Sequence, residues 1–89
     1  MSRTQILETL LDVARAVLDE EELSFDERTS FEEIESWDSF NHLRMVVRME
    51  AALGIRFENS DLLRLKVVGD LVSVIQRRQG GARSAELSS

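Results

Sequence analysis

Two offset rows of apolar residues at helical spacing occupy the first eighteen positions. Both rows have steps of four, three and four residues, and the second starts one position later: Ile6, Leu10, Val13, Val17 and Leu7, Leu11, Ala14, Leu18. Adjacent rows give a helix a wide apolar face, which suits the core of a bundle. No glycine or proline interrupts residues 3–20, and Ser2 or Thr4 can cap the start. The pattern predicts a first helix over residues 3–20.

A second helix and a short third helix are predicted beyond residue 38. Residues 39–53 keep the helical period, and Gly54 follows them as a left-handed cap. Residues 60–65 suffice for one short helix, with Asn59 or Ser60 as its N-cap.

The last predicted helix covers residues 68–78. Four of its apolar residues share the face that we expect to meet the core: Val68, Leu71, Val72 and Ile75. Arg77 and Arg78 suit the negative end of the helix dipole, and the glycine pair at 80–81 is predicted to stop the helix. The sequence therefore predicts an all-α fold, a small four-helix bundle with three long helices and one short one. We expect a domain over residues 1–79 and a disordered tail over residues 80–89.

The segment between the first two long helices, residues 21–37, has no helical period. Its Ser, Thr and Asp residues favour turns, and its large apolar residues lie at no regular spacing: Phe25, Phe31, Ile34 and Trp37. We predict a long loop that these side chains pin to the core. A loop of this length often has a function, although a connection that crosses the bundle needs only length.

Composition excludes several functions. The 89 residues form one small domain with 11 basic and 17 acidic residues, a net charge of −6 and a pI near 4.7, which argues against nucleic-acid binding. Cysteine is absent and His42 is the one histidine, so cysteine-ligated and multi-histidine metal sites are excluded. No apolar run reaches the roughly 18 residues that span a bilayer, and Glu8 and Asp12 interrupt the apolar N-terminus, unlike a signal peptide. We expect a cytoplasmic monomer that binds no metal, nucleic acid or membrane.

Charge is unevenly distributed along the chain. Residues 1–38 carry a net charge of −9 and residues 39–89 a net charge of +3. This asymmetry is compatible with a surface that attracts a charged partner, and equally with an acidic loop that is simply solvated.

The start of the second helix carries the most informative dipeptide, Asp38-Ser39. Asp38 is a good N-cap, and Ser39 is then the first helical residue, with its hydroxyl at the positive end of the helix dipole. A phosphate joined to that hydroxyl would be stabilised by the helix N-terminus. As a dipeptide alone, Asp-Ser could equally be an ordinary cap.

The second helix is apolar on two sides. The first arc of its surface is formed by His42, Met45, Val46, Met49 and Leu53. The second arc is formed by Phe40, Leu43, Val47 and Ala51. Ser39 and Glu50 lie at the seam between the arcs, and Asn41, Arg44 and Arg48 share the remaining polar wedge. One face can be buried in a small bundle, so the other is expected to meet a partner or cargo, unless the helix is central and buried all round.

Residues 34–57, IESWDSFNHLRMVVRMEAALGIRF, resemble the core motif of acyl carrier proteins, in which an Asp-Ser-Leu signature opens the second helix. Residues 66–75, KVVGDLVSVI, are similar to the family's T-V-x-D-x-x-x-x-I pattern in the last helix. The resemblance implies that Ser39 carries 4′-phosphopantetheine, with Asp38 as the helix N-cap beside the site. The thiol of that group would hold an acyl or aminoacyl thioester, which explains how a chain without cysteine supports thiol chemistry.

The resemblance also implies partners: a phosphopantetheinyl transferase, and the acyltransferase, ligase or synthase that loads and unloads the group. The residues expected to contact them are Phe40, Leu43, Arg44, Val47, Glu50 and Ala51. The chain departs from the family pattern at five positions: Ser36 for glycine, Phe40 for leucine, Val67 for a threonine cap, Arg44 for an acid, and the unusual Arg48. The two arginines argue against docking on fatty-acid enzymes built for an acidic helix.

Other functions were weighed against a carrier. Asp38, Ser39 and His42 supply the residue types of a hydrolase triad, but Asp38 is needed as a cap, and a small bundle offers no evident oxyanion hole. We therefore expect that the protein is not an enzyme. We expect His42 to be half-buried and hydrogen-bonded to the long loop. Residues 19–30 lack the central glycine and the alternating ligands of an EF-hand. A peptidyl or aminoacyl carrier and a helical interaction module remain open alternatives.

The expected pathway is polyketide or mixed secondary-metabolite biosynthesis. Asp rather than His before Ser39 resembles acyl carriers more than peptidyl carriers. Arginine outnumbers lysine by 10 to 1, a bias typical of GC-rich bacterial genomes.

Overall fold

The computed structural model describes the backbone of residues 1–88 and the side chains of residues 1–80. Its helices are α1 (Arg3–Val17), α2 (Ser39–Leu53), α3 (Asn59–Leu62) and α4 (Val68–Ser88), with one 3₁₀ turn at Phe31–Glu33. Within residues 1–88 there is no strand, only an isolated antiparallel bridge between Ser30 and Val67. The predicted all-α bundle of three long helices and one short one is confirmed.

Helix α1 begins as predicted and ends three residues early. The Ser2 hydroxyl accepts a hydrogen bond from the Gln5 amide (3.2 Å), and the Gln5 side chain accepts one from the Ser2 amide (2.8 Å). At the other end, Asp19 adopts a positive φ of 54°. Four consecutive acids follow Leu18, and negative charge is unfavourable at a helix C-terminus, where the dipole is already negative.

The core lies where α1 packs against α2 and α4. The largest fully buried side chains come from these three helices: Ile6, Leu10, Met45, Met49, Val68, Leu71, Val72 and Ile75. The predicted inner residues of α4 are all among them. Met45 and Met49 have no exposed surface, so these flexible side chains are packed core residues in this structure.

The long loop (residues 18–38) is pinned to the core by its aromatic residues, as predicted. Phe25 and Trp37 are buried and their rings meet edge to face, with centroids 6.2 Å apart. The half-buried Phe31 ring lies 4.8 Å from Trp37. Such pairs add roughly 0.5–1.5 kcal/mol to the stabilisation from buried area alone, which explains how a loop with so little regular structure is held in place.

The same loop caps the start of α4. The amides of Val68 and Gly69 donate to the carbonyl oxygens of Thr29 (2.9 Å) and Glu27 (2.8 Å). A Cβ atom at Gly69 would lie 2.9 Å from that Glu27 oxygen, so the approach requires glycine. The Asp70 carboxylate accepts from the amides of Lys66 (2.9 Å) and Val67 (3.1 Å). These contacts replace the threonine cap that Val67 cannot supply.

Helix α3 begins one residue earlier than predicted, with Glu58 rather than Asn59 or Ser60 at its N-cap position. The reason is a reciprocal pair: the Asp61 amide donates to the Glu58 carbonyl (3.0 Å), and the Asp61 carboxylate accepts from the Glu58 amide (2.9 Å). The predicted end at residue 65 is also too late, because the helix stops at Leu62.

Asp61 also joins α3 to α4. Its buried carboxylate accepts from the Arg78 Nε atom (2.8 Å) and from the Arg77 guanidinium (3.3 Å). The hydrogen bond from the Glu58 amide, followed by those from Arg78 and Arg77, holds the pKa of Asp61 below its usual range against the opposing effect of burial. The predicted dipole role of the two arginines is therefore wrong: they donate hydrogen bonds to Asp61, and they lie ten and eleven residues before the end of α4.

Helix α4 passes through the glycine pair that was expected to stop it. Glycine ends a helix when it adopts a left-handed conformation, and of the glycines at positions 54, 69 and 80 only Gly54 does so, with a φ of 64°. In a helical conformation a glycine costs about 1 kcal/mol relative to alanine without breaking the helix. We also expected a disordered tail over residues 80–89. Beyond Gly80, the side chains of this tail lie outside the described residues.

None of the helices described is both long enough and apolar enough to cross a bilayer.

Candidate functional site

Asp38 caps α2 as the sequence predicted. Its carboxylate accepts a hydrogen bond from the Asn41 amide (2.8 Å), and its carbonyl accepts from the His42 amide (2.8 Å). Ser39 is the first residue of α2 and is exposed, and its hydroxyl has no hydrogen-bond partner within residues 1–80. A reacting group can therefore approach the hydroxyl from solvent.

The amides of Ser39 and Phe40 are open. Neither has a hydrogen-bond partner among the described residues, because the Asp38 carboxylate binds the amide of Asn41 only. Both amides belong to the first turn of a 15-residue helix, where the dipole is positive. Two free N–H groups beside a serine hydroxyl are suited to bind the oxygens of a phosphate joined to that hydroxyl.

The turn before Asp38 is fixed by side chains at both ends. The Asn41 amide group donates to the Ser36 carbonyl (2.9 Å), and the Ser36 hydroxyl donates to Glu20. Ser36 is not among the residues with positive φ, so this turn does not use the conformational freedom of the glycine that the resemblance to acyl carrier proteins led us to expect here. The serine fits without backbone strain and holds the entrance to α2 in place.

An open groove of about 460 Å³ lies between α2, α3 and the long loop, with Ser39 in its lining. Its lining residues are Phe31, Trp37, Asp38, Ser39, His42, Leu43, Leu62 and Leu65. His42 is half-buried there, and its Nδ1 atom accepts a hydrogen bond from the Trp37 indole (2.9 Å). This confirms the predicted bond between His42 and the long loop. Burial lowers the pKa of His42, which favours the neutral ring.

The outer face of α2 is apolar and exposed. Phe40, Leu43 and Val47 are 62%, 63% and 62% exposed, while Met45 and Met49 on the opposite side are fully buried. The two-sided pattern predicted for this helix is therefore present, with one side in the core and the other toward solvent. Large exposed apolar residues in a row are typical of surfaces that contact partners.

Arginine and glutamate side chains of α2 also make contacts within the protein. The Arg44 guanidinium lies 5.9 Å from the Phe40 ring centroid and donates to the carbonyl of Val17 at the end of α1 (3.4 Å). The half-buried Glu50 carboxylate accepts from the Phe57 amide (2.9 Å) and so anchors the loop after α2. Ala51 is exposed beside the apolar row. These six predicted contact residues thus share the helix but differ in their freedom to bind a partner.

The residues of a hydrolase triad do not assemble. The Asp38 carboxylate is bound to the Asn41 amide, and His42 uses Nδ1 to accept from Trp37. Ser39 and His42 form no hydrogen bond within the described residues. No group of three or more His, Asp or Glu side chains within residues 1–80 could hold a metal ion.

Sequence reasoning missed two contacts near the site. Trp37 was expected only to pin the long loop to the core, although an indole N–H that is buried usually finds an acceptor. The link from Asp61 to Arg78 had no local signal, because 17 positions separate the two residues. Its consequence for the site is indirect: Asp61 fixes α3, which supplies Leu62 to the groove.

Residues 8–75 match the family model described as "Phosphopantetheine attachment site". Among solved structures, the chain is similar to the solution NMR structure of a holo acyl carrier protein from Geobacter metallireducens. The two are 32% identical, the TM-score is 0.79, and the alignment covers 91% of each chain. No curated protein sequence matches this chain significantly.

Proposed function

The chain belongs to the acyl carrier protein family, and we propose that Ser39 is the residue to which its 4′-phosphopantetheine is joined. The observation that carries this assignment is the exposed, unpartnered Ser39 hydroxyl beside two open amides at the first turn of α2. When bound, the group supplies a thiol that holds an acyl group as a thioester. The protein itself is a carrier and not a catalyst.

The residues around Ser39 fit a phosphodiester. The amides of Ser39 and Phe40 offer two N–H donors, and the helix dipole favours negative charge at this end. Asp38 keeps its carboxylate on the Asn41 amide, so the cap leaves these two donors free. Exposure of the hydroxyl gives a phosphopantetheinyl transferase access to it.

The experiment is intact-mass spectrometry after incubation with coenzyme A and a broad-specificity phosphopantetheinyl transferase. We expect one added phosphopantetheine in the wild type, none in Ser39→Ala, and a normal addition in the control Ser36→Ala. Circular dichroism should show that both variants keep the helical fold. Modification mapped to Ser36, or no modification with several transferases, would contradict the assignment.

Acyl carrier proteins interact with phosphopantetheinyl transferases and biosynthetic enzymes. For this chain we propose a contact surface on α2 formed by Phe40, Leu43, Arg44, Val47, Glu50 and Ala51. The three large apolar residues are more than 60% exposed, and Arg44 and Arg48 add positive charge along one side. A partner with an apolar patch and a carboxylate at its edge complements this surface. An enzyme that offers positive charge to Arg44 would be repelled.

The matched test compares Arg44→Gln with Arg56→Gln, which removes an exposed arginine outside α2. We expect Arg44→Gln to speed acyl transfer by a fatty-acid malonyl transferase and slow the cognate loading enzyme, with the largest effect at low salt. Arg56→Gln should change neither rate. Glu50→Gln keeps an acceptor for the Phe57 amide, so it isolates the charge of Glu50 from its role in the loop. Equal rates for all variants would show that charge on α2 does not select the partner and that docking depends on the apolar residues alone.

We also propose that the carrier serves polyketide or mixed secondary-metabolite biosynthesis, on the basis of Asp38 before Ser39 and the excess of arginine over lysine. Loading the holo protein separately with malonyl transferases and amino-acid-activating enzymes tests this pathway against the peptidyl alternative. Residues 1–79 are proposed as the carrier domain, which the family match over residues 8–75 supports. The monomeric state and the cytoplasmic location stay predictions.

A further inference from the structure

His42 has one ring nitrogen bound and the other available. Nδ1 accepts from the Trp37 indole at 2.9 Å, so in the neutral ring the proton resides on Nε2. Within residues 1–80, Nε2 has no hydrogen-bond partner, and the one buried side-chain oxygen or nitrogen left unpaired there is Gln79 Oε1. The Nε2–H group is therefore an accessible donor with its tautomer set by Trp37.

The ring itself is held at a fixed angle. The Phe31 ring packs edge to face against His42, with centroids 5.7 Å apart, and Phe31 in turn lies against Trp37. Both aromatic residues belong to the long loop, which the core fixes. A donor held on two sides loses little further freedom when it binds an acceptor.

His42 and Ser39 line the same groove and are three residues apart on α2. On a helix this spacing places Cβ atoms about 5–6 Å apart. A group joined to the Ser39 hydroxyl therefore begins within reach of the His42 ring. The first part of phosphopantetheine offers oxygen acceptors in its phosphodiester, its hydroxyl and its first amide, together with two methyl groups. The apolar side chains of Phe31, Leu62 and Leu65 in the groove suit those methyl groups.

We propose that the neutral His42 donates its Nε2–H to an oxygen in the first part of the phosphopantetheine group, and so holds that group along the groove. The inference rests on the attachment to Ser39 proposed above. His42 is a positioning residue in this scheme: it forms no covalent bond and transfers no proton. Trp37 acts through His42: because its indole N–H donates to Nδ1, the proton of the neutral ring stays on Nε2.

The test uses the full chain, labelled with ¹⁵N, before and after attachment of phosphopantetheine. Long-range ¹H–¹⁵N NMR should show an unprotonated Nδ1 and a protonated Nε2 in both states. We expect exchange of Nε2–H with water to slow about fivefold after attachment, as a hydrogen bond of ordinary net strength would produce. We also expect nuclear Overhauser contacts between the methyl groups of phosphopantetheine and the Leu62 side chain.

Variants separate a donor from a structural residue. His42→Phe keeps an aromatic ring without the donor and should lose the contacts to Leu62, while His42→Gln keeps an N–H donor and should retain part of them. Arg48→Gln, on the same helix but outside the groove, is the control and should retain them all. Trp37→Phe removes the hydrogen bond to Nδ1, so the proton is no longer held on Nε2. In this variant, attachment should slow the exchange of Nε2–H with water less than it does in the wild type.

Equal Nε2–H exchange in the apo and holo proteins, or unchanged contacts in His42→Phe, would overturn the role of His42. The exchange measurement needs only the wild type, so it decides the question even where a variant fails to fold. The mass spectrum of each sample separates this result from a failure of attachment: a sample without the added group, or with the group elsewhere, overturns the assignment of Ser39 instead.

Discussion

The helices α2 and α4 start in opposite ways. At the start of α4, the amides of Val68 and Gly69 are bound by carbonyls of the long loop, and the Asp70 carboxylate binds the two amides before them. At the start of α2, Asp38 caps the Asn41 amide, and the amides of Ser39 and Phe40 have no partner among the described residues. The α4 start is closed, whereas the α2 start is open.

The difference shows where a helix start serves stability and where it can serve binding. Unpaired amides at a helix N-terminus are satisfied by side chains, water or ligands. At α4 the carbonyls of the long loop accept hydrogen bonds from these amides, and the same bonds fasten the loop to the bundle. At α2 no loop carbonyl binds the amides of Ser39 and Phe40. Their hydrogen-bond acceptor is therefore water, or a phosphate joined to the Ser39 hydroxyl.

The strongest way to break the closed start is Gly69→Ala. The new Cβ would lie 2.9 Å from the Glu27 carbonyl oxygen and 3.1 Å from the Glu27 Cβ atom, so the loop must move away. We expect a loss of about 1–3 kcal/mol in the free energy of unfolding, measured by urea denaturation, because the nearest atom to the new Cβ is a backbone oxygen, which cannot repack as a side chain can.

The matched control is Gly80→Ala, in the same helix with no atom within 4 Å of its added Cβ. It should raise stability by roughly 0.5–1 kcal/mol through helix propensity alone. If Gly69→Ala is as harmless as Gly80→Ala, the loop does not seal the start of α4.

Asp38→Ala tests the open start and should cost less. It removes one capping bond, which is worth about 1 kcal/mol at a helix N-terminus, and it leaves the Ser39 hydroxyl exposed. We expect a lower midpoint of urea denaturation and, under conditions where the variant is folded, continued modification by the transferase. Complete loss of modification in a folded Asp38→Ala protein would show that Asp38 acts in the reaction beyond its role as a cap.

The smallest expected effect concerns acid. Hydrogen bonds from the Lys66 and Val67 amides lower the pKa of Asp70 below its ordinary value of 3.8. The unfolded chain therefore binds a proton at higher pH than the folded chain does. The stability that Asp70 contributes is complete above about pH 5 and is lost as pH falls through the lowered folded-state pKa.

Asp70→Asn keeps an oxygen acceptor but no titrating group, so it should cost about 0.5–1 kcal/mol at neutral pH and flatten the acid limb of stability against pH. Thermal unfolding of both proteins at a series of pH values between pH 2 and 7 measures the difference in their pH dependence of stability. Parallel curves over the whole range would show that Asp70 does not titrate differently in the folded protein.

The sequence predicted the α2 region well because its signals are local. The Asp38 cap, the left-handed Gly54 and both ends of the helix follow from residues adjacent in the chain. The exposed Ser39 hydroxyl follows from the same signals, and the family resemblance gave it a chemical role.

The α3 and α4 region was predicted less well because its contacts join distant positions. The sealing of α4 by Glu27 and Thr29 spans about forty residues, and no spacing rule indicates which loop carbonyl meets which amide. The Asp61 partners were assigned to the helix dipole for the same reason. The end of α4 was missed because composition shows that glycine is present but does not show its φ.

The most direct test of the open helix start is the amide spectrum of the protein before and after phosphopantetheine is attached. The ¹H–¹⁵N signals of Ser39 and Phe40 should move downfield and exchange more slowly with water, because each N–H gains a phosphate oxygen as acceptor. Phe40 is the more telling of the two, since its own side chain is not modified. The signals of Val68 and Gly69 should stay in place. An unchanged Phe40 amide in a protein whose mass shows the added group, or the largest changes at α4, would contradict the account.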